Sequence, residues 1–208
     1  MTDKKEIISL ITAQKILPLF NNADIKVVKA AVKACYDAGI RCFEFTNRNE
    51  NAPEIFDELK KYCAAEMKDM LLGVGTIKNV TDAELFADAA FLVSPFITKD
   101  LIDYTMAKEI LWIPGCSTTS EIAMAANAGI GMVKIFPANL LGGPAFVKAM
   151  KEIFPAMKML ATGGIKADKE ELSKWFASGT DAVGIGGQLF GKDKIDVQQI
   201  STTLKNIV

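Results

Sequence analysis

The chain has 208 residues, half of them hydrophobic, which suits one compact domain spanning residues 1–208 with a large core. Its 24 basic and 25 acidic residues are intermingled and give a net charge of −1, which argues against a nucleic-acid partner. Histidine is absent, so histidine-based triads and histidine-ligated zinc are excluded, and proton transfer falls to carboxylates, lysine, tyrosine, cysteine or water.

Cysteine usage and hydropathy indicate the compartment. The cysteines Cys35, Cys42, Cys63 and Cys116 form no CxxC pair, and the N-terminal segment is mixed amphipathic rather than an apolar signal. These features predict reduced thiols and a cytoplasmic protein. No stretch approaches the roughly 18 uninterrupted apolar residues of a membrane-spanning helix, so no membrane partner is expected.

Short apolar runs alternate with longer amphipathic segments along the chain. The predicted strands are residues 16–20, 42–46, 71–75, 91–94, 111–114, 132–136, 158–162 and 182–186. The predicted helices are residues 26–38, 53–64, 82–87, 99–108, 120–128, 144–153, 169–178 and 196–207. Predicted helix starts are Asp24, Thr81, Thr98 and Asp168, and predicted helix ends are Gly39, Gly129 and Gly179.

Eight strands and eight helices are compatible with two α/β architectures. An open doubly wound sheet is the alternative, but the even spacing of the units favours a closed single-domain (β/α)8 TIM barrel. The active site of such a barrel gathers at the C-terminal ends of its strands. The polar and glycine residues of this chain concentrate at those ends.

Two charged residues interrupt strands that are otherwise apolar. Lys134 lies in Met-Val-Lys-Ile-Phe, and Glu44 lies in Cys-Phe-Glu-Phe-Thr. A buried ammonium faces a desolvation penalty of several kcal/mol unless it is paired or neutral, and a neutral lysine is a nucleophile. The interpretation is a Schiff-base lysine with a proton-shuttling carboxylate.

Strand alternation allows these two residues to meet. One face of the second strand carries Cys42, Glu44 and Thr46, and one face of the sixth strand carries Met132, Lys134 and Phe136. The second and sixth strands lie opposite each other in an eight-stranded barrel, where inward side chains of even-numbered strands stack in layers. A buried structural ion pair is the alternative interpretation.

Two glycine pairs follow the last two predicted strands. They are Gly163-Gly164 and Gly186-Gly187. Paired glycines let backbone N–H groups approach an anion, and barrels often hold phosphate between the loops after strands seven and eight. Glycine also merely permits tight turns, which is the alternative.

Arg48 comes just after the second strand, where its guanidinium can hold a carboxylate through two parallel hydrogen bonds. A solvated arginine is the alternative. Thr76 and Thr162 are further donors for that carboxylate, although hydroxyls at strand ends often only cap the next helix.

The motifs together resemble the class I aldolases that act on 2-keto-3-deoxy-6-phosphogluconate (KDPG) and 4-hydroxy-2-oxoglutarate (KHG). Nearly the whole chain is covered, by ILPLF, GIRCFEFTNR, GVGTIKN, SPFIT, IPGCSTTSE, VKIFPAN, ATGGI and GIGG in the family's order. By resemblance, Lys134 is the Schiff-base lysine and Glu44 is the acid/base. The matching substrate-binding positions are Arg48, Thr76 and Thr162 for the carboxylate and oxo region, Pro95 and Phe136 for the apolar wall, and Gly163, Gly164, Gly186 and Gly187 for the phosphate end.

Several positions depart from the family's pattern. The family usually has TLRT after the catalytic glutamate, whereas this chain places Asn47 and Asn49 around the arginine. Gln188, a further substrate-binding position, replaces a common serine after the last glycine pair. Lys15 stands for the common arginine before the first strand, and both of these changes bear on phosphate recognition. Phe96 replaces a glycine and adds a bulky ring near the mouth.

The resemblance implies cleavage of a 2-oxo-4-hydroxy acid to pyruvate and an aldehyde. The aldehyde is glyceraldehyde 3-phosphate if the glycine loops bind phosphate, or glyoxylate if the site is short. It implies a covalent imine without metal or other cofactor, a small-molecule 2-oxo acid substrate and a homotrimer. Two rival interpretations are a phosphosugar isomerase or epimerase barrel and a non-catalytic oxo-acid or phosphosugar binding protein.

Overall fold

A computed structural model describes residues 3–190 and 196–207, which form nine strands and ten helices, mostly in alternation. The strands are β1 Ile16–Phe20, β2 Cys42–Thr46, β3 Leu71–Gly75, β4 Phe91–Val93, β5 Trp112–Ile113, β6 Gly115–Cys116, β7 Met132–Ile135, β8 Lys158–Thr162 and β9 Ala182–Ile185. The helices are α1 Lys4–Gln14, α2 Ile25–Asp37, α3 Ala52–Glu66, α4 Val80–Leu85, α5 Lys99–Ala107, α6 Thr119–Asn127, α7 Pro144–Ile153, α8 Lys169–Ala177, α9 Gly187–Phe190 and α10 Val197–Ile207.

The strands form one parallel sheet in the order β5-β4-β3-β2-β1-β9-β8-β7-β6. Its two edge strands, β5 and β6, are separated in the chain by Pro114 alone. The N–H of Lys134 donates to the carbonyl of Pro114 at 2.8 Å, so this extended segment joins β4 on one side and β7 on the other. The predicted (β/α)8 barrel is confirmed, with its fifth strand split in two because proline supplies no N–H.

Alternate residues of the strands build two separate cores. Phe43 and Phe45 belong to the larger core, which the helices cover on the outside of the sheet. The inner core fills the lower half of the barrel with Ile7, Ile11, Leu17, Cys42, Phe91, Val93, Leu111, Ile113, Met132, Leu160 and Ala182. Because side chains alternate along a strand, residues two positions after Cys42, Met132 and Leu160 also point into the barrel.

Helix α1 covers the N-terminal end of the barrel. Its residues Ile7 and Ile11, one turn apart, enter the inner core. The side-chain amide of Gln14 donates to the carbonyls of Ile16 and Cys42 at 2.8 and 2.9 Å, and its oxygen accepts from the N–H of Cys42 at 3.0 Å. This helix was not among the predicted elements because only a narrow apolar stripe marks it in the sequence.

Most of the predicted helix boundaries agree with the structure to within two residues. The side chains of Asp24, Thr98 and Asp168 accept N-terminal N–H groups as expected. The expected start at Thr81 is wrong, because Asn79 accepts from the N–H of Asp82 and α4 begins at Val80. The glycines predicted to end helices all have positive φ; they are Gly39, Gly129 and Gly179.

The cysteines are all buried free thiols. Burial raises the pKa of Cys42, Cys63 and Cys116 to about 12, so these thiols stay protonated at neutral pH. None of the helices within residues 3–190 and 196–207 is long and apolar enough to cross a membrane.

Candidate active site

The structure places Glu44 and Lys134 inside the barrel, above the inner core. Glu44 lies in β2, two residues after Cys42, and is 1% exposed. Lys134 lies in β7, two residues after Met132, and is 6% exposed. The strands that hold these residues are the second and sixth of the eight barrel positions, so the two side chains approach from opposite walls.

Burial shifts the pKa of each group in the direction that disfavours its charged form. Burial raises the pKa of Glu44, and the positive charges of Lys134 and Arg48 only partly oppose that effect. Burial also lowers the pKa of Lys134; the charge of Glu44 opposes this shift and that of Arg48 adds to it. The neutral amine is the form of lysine that attacks a carbonyl, and a lowered pKa increases the fraction of that form.

A closed structural ion pair between these residues is not observed. Among the described residues, no ion pair within 4.0 Å joins Nζ of Lys134 to the carboxylate of Glu44. The amine instead lies 4.8 Å from the centroid of the Phe136 ring. The carbonyl of Phe136 accepts a hydrogen bond from the hydroxyl of Ser117 at 2.7 Å, which fixes the backbone beside the ring.

Glycines on the inner faces of the strands make room for the larger polar side chains. A Cβ on Gly75 would overlap Oε1 of Glu44, and a Cβ on Gly184 would overlap the hydroxyl of Thr162. Each glycine is paired in register near the residue that it accommodates. The sequence prediction missed Gly75 and Gly184; glycine inside a strand, which often marks a close approach, was the available signal.

Four buried polar atoms have no hydrogen-bond partner within the described part of the chain. They are Glu44 Oε2, Thr46 Oγ1, Thr162 Oγ1 and Asn49 Nδ2. Leaving such an atom unsatisfied costs about 1–3 kcal/mol, and native proteins rarely do so without a functional reason. The first three stand on inner faces of β2 and β8, so a polar ligand inside the barrel would supply their missing hydrogen-bond partners. Thr46 was not among the predicted site residues.

Arg48 and Thr76 come together at the mouth, where β2 and β3 end. Nε of Arg48 donates to the hydroxyl of Thr76 at 3.4 Å. Thr76 has φ +66°, an uncommon conformation for a threonine. The N–H of the next residue, Ile77, donates to the carbonyl of Val93 at 3.1 Å. The remaining N–H groups of Arg48 form a fork that suits a carboxylate.

Pro95 follows β4 on the same side of the barrel. The chain there passes so close to β6 that a Cβ on Gly115 would overlap the carbonyl of Pro95. The next residue, Phe96, is 41% exposed, so its ring stands at the surface of the mouth.

The glycine pairs follow the neighbouring strands β8 and β9. Gly163 and Gly164 have φ values of +106° and +74°, and the carbonyl of Gly163 accepts from the N–H of Asn139 at 3.2 Å. Gly186 and Gly187 lead into α9, in which Gln188 is exposed. The fold therefore brings both pairs to one end of the barrel.

Lys15, the other departure expected to bear on phosphate recognition, comes before β1, whereas the glycine pairs come after β8 and β9. Its Nζ lies 5.4 Å from the ring centroid of Phe176, at the C-terminal end of α8, and its carbonyl accepts from the N–H of Val183 at 2.8 Å. Those contacts place Lys15 at the N-terminal end of the barrel.

Comparison with known proteins identifies the family. The family model of KDPG and KHG aldolase matches residues 7–204. The chain is 33% identical over 153 residues to the 2-dehydro-3-deoxy-phosphogluconate aldolase of Treponema pallidum (strain Nichols), covering 73% of this chain and 71% of that protein. It is 36% identical over 152 residues to the protein of the same name from Pseudoalteromonas atlantica, covering 72% and 69%.

A solved structure gives the same result for the fold. The crystal structure of the 2-keto-3-deoxy-6-phosphogluconate aldolase of Zymomonas mobilis ZM4, obtained with 3-phosphoglycerate, superimposes with a TM-score of 0.87. The two chains are 25% identical, and the match covers 99% of this chain and 96% of that one. The chain therefore belongs to the KDPG and KHG aldolase family, and its activity is that of an aldolase, a carbon–carbon lyase with a small-molecule substrate.

Proposed function

We propose that this aldolase works through an imine on Lys134 and cleaves a 2-oxo-4-hydroxy acid such as KDPG or KHG to pyruvate and an aldehyde. The observation that carries the proposal is the buried amine of Lys134, whose pKa is lowered by burial and which forms no ion pair within 4.0 Å among the described residues. Cleavage of the C3–C4 bond needs an electron sink at C2, and a protonated imine supplies one without metal or other cofactor.

Imine formation is the first step. The neutral amine of Lys134 attacks C2 of the substrate, and the carbinolamine loses water to give the protonated imine. Glu44, whose pKa is raised by burial, delivers the proton that lets the hydroxyl leave as water. Glu44 is then a carboxylate and is ready to act as a base.

Carbon–carbon cleavage follows. Glu44 takes the proton of the C4 hydroxyl through a water molecule, and the aldehyde forms as the C3–C4 bond breaks. The electron pair of that bond forms the C2–C3 double bond, and the imine nitrogen becomes neutral. Glu44 then returns a proton to C3 of this enamine, and hydrolysis of the resulting imine releases pyruvate and free Lys134.

The mouth residues hold the substrate during these steps. Arg48 and Thr76 bind the carboxylate, which suits the contact between them and the free fork of the guanidinium. Thr162 donates to the oxo region from the inner face of β8. Pro95 and Phe136 form the apolar wall.

The glycine pairs and Gln188 bind the distal end of the substrate. Backbone N–H groups beside Gly163, Gly164, Gly186 and Gly187 suit a phosphate, and the Zymomonas mobilis relative was crystallised with a phosphorylated acid, 3-phosphoglycerate. Glyceraldehyde 3-phosphate is then the aldehyde product. Glyoxylate is the product if the shorter KHG is used, and turnover of the two substrates side by side distinguishes these cases.

The test is intact-mass spectrometry after incubation with pyruvate and sodium borohydride, followed by peptide mapping. We expect one pyruvyl addition on Lys134 and none in Lys134→Met. The matched control is Lys174→Met, a surface lysine paired with Glu170, which should label like the unmodified chain. Failure to label a folded protein would overturn the imine mechanism.

The rival interpretations make different predictions in the same experiment. A phosphosugar isomerase or epimerase interconverts sugar phosphates and forms no covalent adduct. A binding protein retains a 2-oxo acid without releasing pyruvate from any 2-oxo-4-hydroxy acid. Measuring adduct and turnover together therefore separates all three.

The same proposal covers the setting of the enzyme. We infer one barrel domain over residues 1–208, a homotrimer and a cytoplasmic location, with no nucleic-acid or membrane partner. The trimer rests on the family resemblance, and light scattering after size-exclusion chromatography tests it. The buried free thiols fit a reducing compartment.

A further inference from the structure

Thr46 is a buried polar residue for which the proposed function has no role. It ends β2, is 1% exposed, and its hydroxyl finds no hydrogen-bond partner in residues 3–190 or 196–207. Its carbonyl accepts from the N–H of Arg48 at 2.9 Å, so its backbone oxygen has a partner in the turn. A buried hydroxyl without a partner calls for an explanation, since valine would fill the same space without losing a hydrogen bond.

The position of Thr46 suggests the explanation. Thr46 lies two residues after Glu44 on the same strand and therefore on the same inner face, one step closer to the mouth. Its partner in register on β3 is Gly75, which has no side chain that could stand between Thr46 and Glu44. Oε2 of Glu44 and Oγ1 of Thr162 share its lack of a partner within the described residues.

Helix capping does not explain the hydroxyl. Helix α3 begins at Ala52, and its N-cap position is Asn51, five residues after Thr46. The first turn of α3 is tied instead by the N–H of Ala52, which donates to the carbonyl of Asn49 at 3.1 Å. Thr46 thus serves neither the strand ladder nor the next helix with its side chain.

We propose that Thr46 is a positioning residue whose hydroxyl holds the water through which Glu44 moves protons. This inference rests on the proposed function. The water accepts a hydrogen bond from Thr46 and keeps one hydrogen directed at the Glu44 carboxylate or, after cleavage, at C3 of the enamine. A hydroxyl suits this task because it donates and accepts at once.

The proton balance of the relay is simple. In cleavage, the water gives one proton to the Glu44 carboxylate and receives the proton of the C4 hydroxyl, so the water is regenerated. In the return step, the water gives a proton to C3 and receives one from the Glu44 carboxyl, which becomes a carboxylate again. Thr46 gains and loses no proton overall, and its effect is on geometry alone.

The test is exchange of the C3 hydrogens of pyruvate with deuterated water, followed by NMR, because exchange requires proton transfer without an aldehyde. In Thr46→Val we expect exchange and kcat to fall about 10- to 100-fold, since misplacing a reacting group by about 1 Å costs on that order. KM and borohydride trapping of pyruvate on Lys134 should stay unchanged. Thr46→Ser should restore exchange, and Thr46→Cys, a second variant with a weak donor, should be slow like valine.

The matched control is Thr105→Val in α5, another buried threonine, whose hydroxyl donates to the carbonyl of Leu101 at 2.6 Å. It should exchange pyruvate hydrogens at the original rate. Normal exchange in both Thr46→Val and Thr46→Cys would overturn the inference, as would loss of trapping in these variants while they remain folded. Loss of trapping in the unmodified chain would instead refute the imine mechanism itself.

Discussion

The carboxyl carbon of Glu44 lies 2.6 Å from the point where a Cβ on Gly75 would stand. The two residues occupy adjacent strands of the barrel, and Gly75 is paired in register with Thr46. The carboxylate of Glu44 thus occupies the space that the side chain of any residue other than glycine would fill at position 75. A neighbouring strand, rather than a hydrogen bond, sets where this acid can stand.

Gly75→Ala should therefore displace the Glu44 carboxylate while leaving the barrel folded. We expect kcat to fall about 100-fold, because proton transfer depends on the position of the carboxylate. Continuous measurement of pyruvate release gives the rate, and circular dichroism verifies the fold. Gly131→Ala is the control, since its added Cβ would meet only the end of the Ile8 side chain at 3.4 Å. Equal rates in the two variants would contradict this account.

Lys134→Met should stabilise the protein, and the gain should depend on pH. Burial lowers the pKa of Lys134 in the folded state, whereas its unfolded value is about 10.4. Below about pH 10.4 the unfolded chain binds a proton more readily than the folded one, so the lysine destabilises the fold there. The increase in Tm should be largest near neutral pH and should shrink as the pH approaches about 10.

Thermal melts of both proteins across that pH range measure the effect. Lys174→Met, on the surface of α8, should show no comparable trend. An increase in Tm that grows with rising pH would have the wrong sign and would refute the lowered pKa of Lys134.

Substitution of Glu44 and of Arg48, the two charged neighbours of Lys134, should move the pH dependence of imine formation in opposite directions. The charge of Glu44 raises the pKa of Lys134, and that of Arg48 lowers it. Because only the neutral amine attacks, the rate of imine formation falls as the pH drops below the pKa of Lys134. The acidic limb should thus move to lower pH in Glu44→Gln and to higher pH in Arg48→Met. Rates of borohydride trapping with pyruvate measure the limb, and shifts of the same sign would be inconsistent with this electrostatic scheme.

Arg48→Lys should weaken substrate binding more than it slows chemistry. Lysine cannot form the two parallel hydrogen bonds of a guanidinium, so we expect KM to rise about 10- to 100-fold with little change in kcat. The control is Arg41→Lys; Arg41 donates to Asp69 at 2.7 Å and lies before β2, at the other end of the barrel. Steady-state kinetics on both variants decide the matter, and an unchanged KM in Arg48→Lys would remove the arginine from the carboxylate site.

Much of the fold was predictable from the sequence because its strands are buried on both faces. The bounds of β1, β2, β3 and β8 match the predicted ones at both ends. The fifth strand was predicted to end at Pro114, so its continuation in β6 was missed, because the pairing of β6 with β7 is visible only in the structure. Helix α1 was missed, since its apolar stripe is meaningful only once the open end of the barrel is known.

The site was predictable where a residue contradicts its surroundings. A lysine or a glutamate in an apolar strand is visible in the sequence, so Lys134 and Glu44 could be proposed as a pair. Alternation placed Thr46 on the same face as Glu44, but threonine is common in strands, and only the structure reveals that its hydroxyl lacks a partner in the described chain.

Helix α1 contributes no reacting group, yet it constrains the traffic of molecules. Ile7 and Ile11 fill the N-terminal end of the barrel, so a ligand held beside Lys134 would enter and leave at the C-terminal ends of the strands. In the proposed mechanism pyruvate stays bonded to Lys134 after cleavage, so the aldehyde must depart first. Pyruvate must then leave by the same end of the barrel before the next substrate can bind. The packing of α1 at the other end and the bond to Lys134 together fix the order of product release.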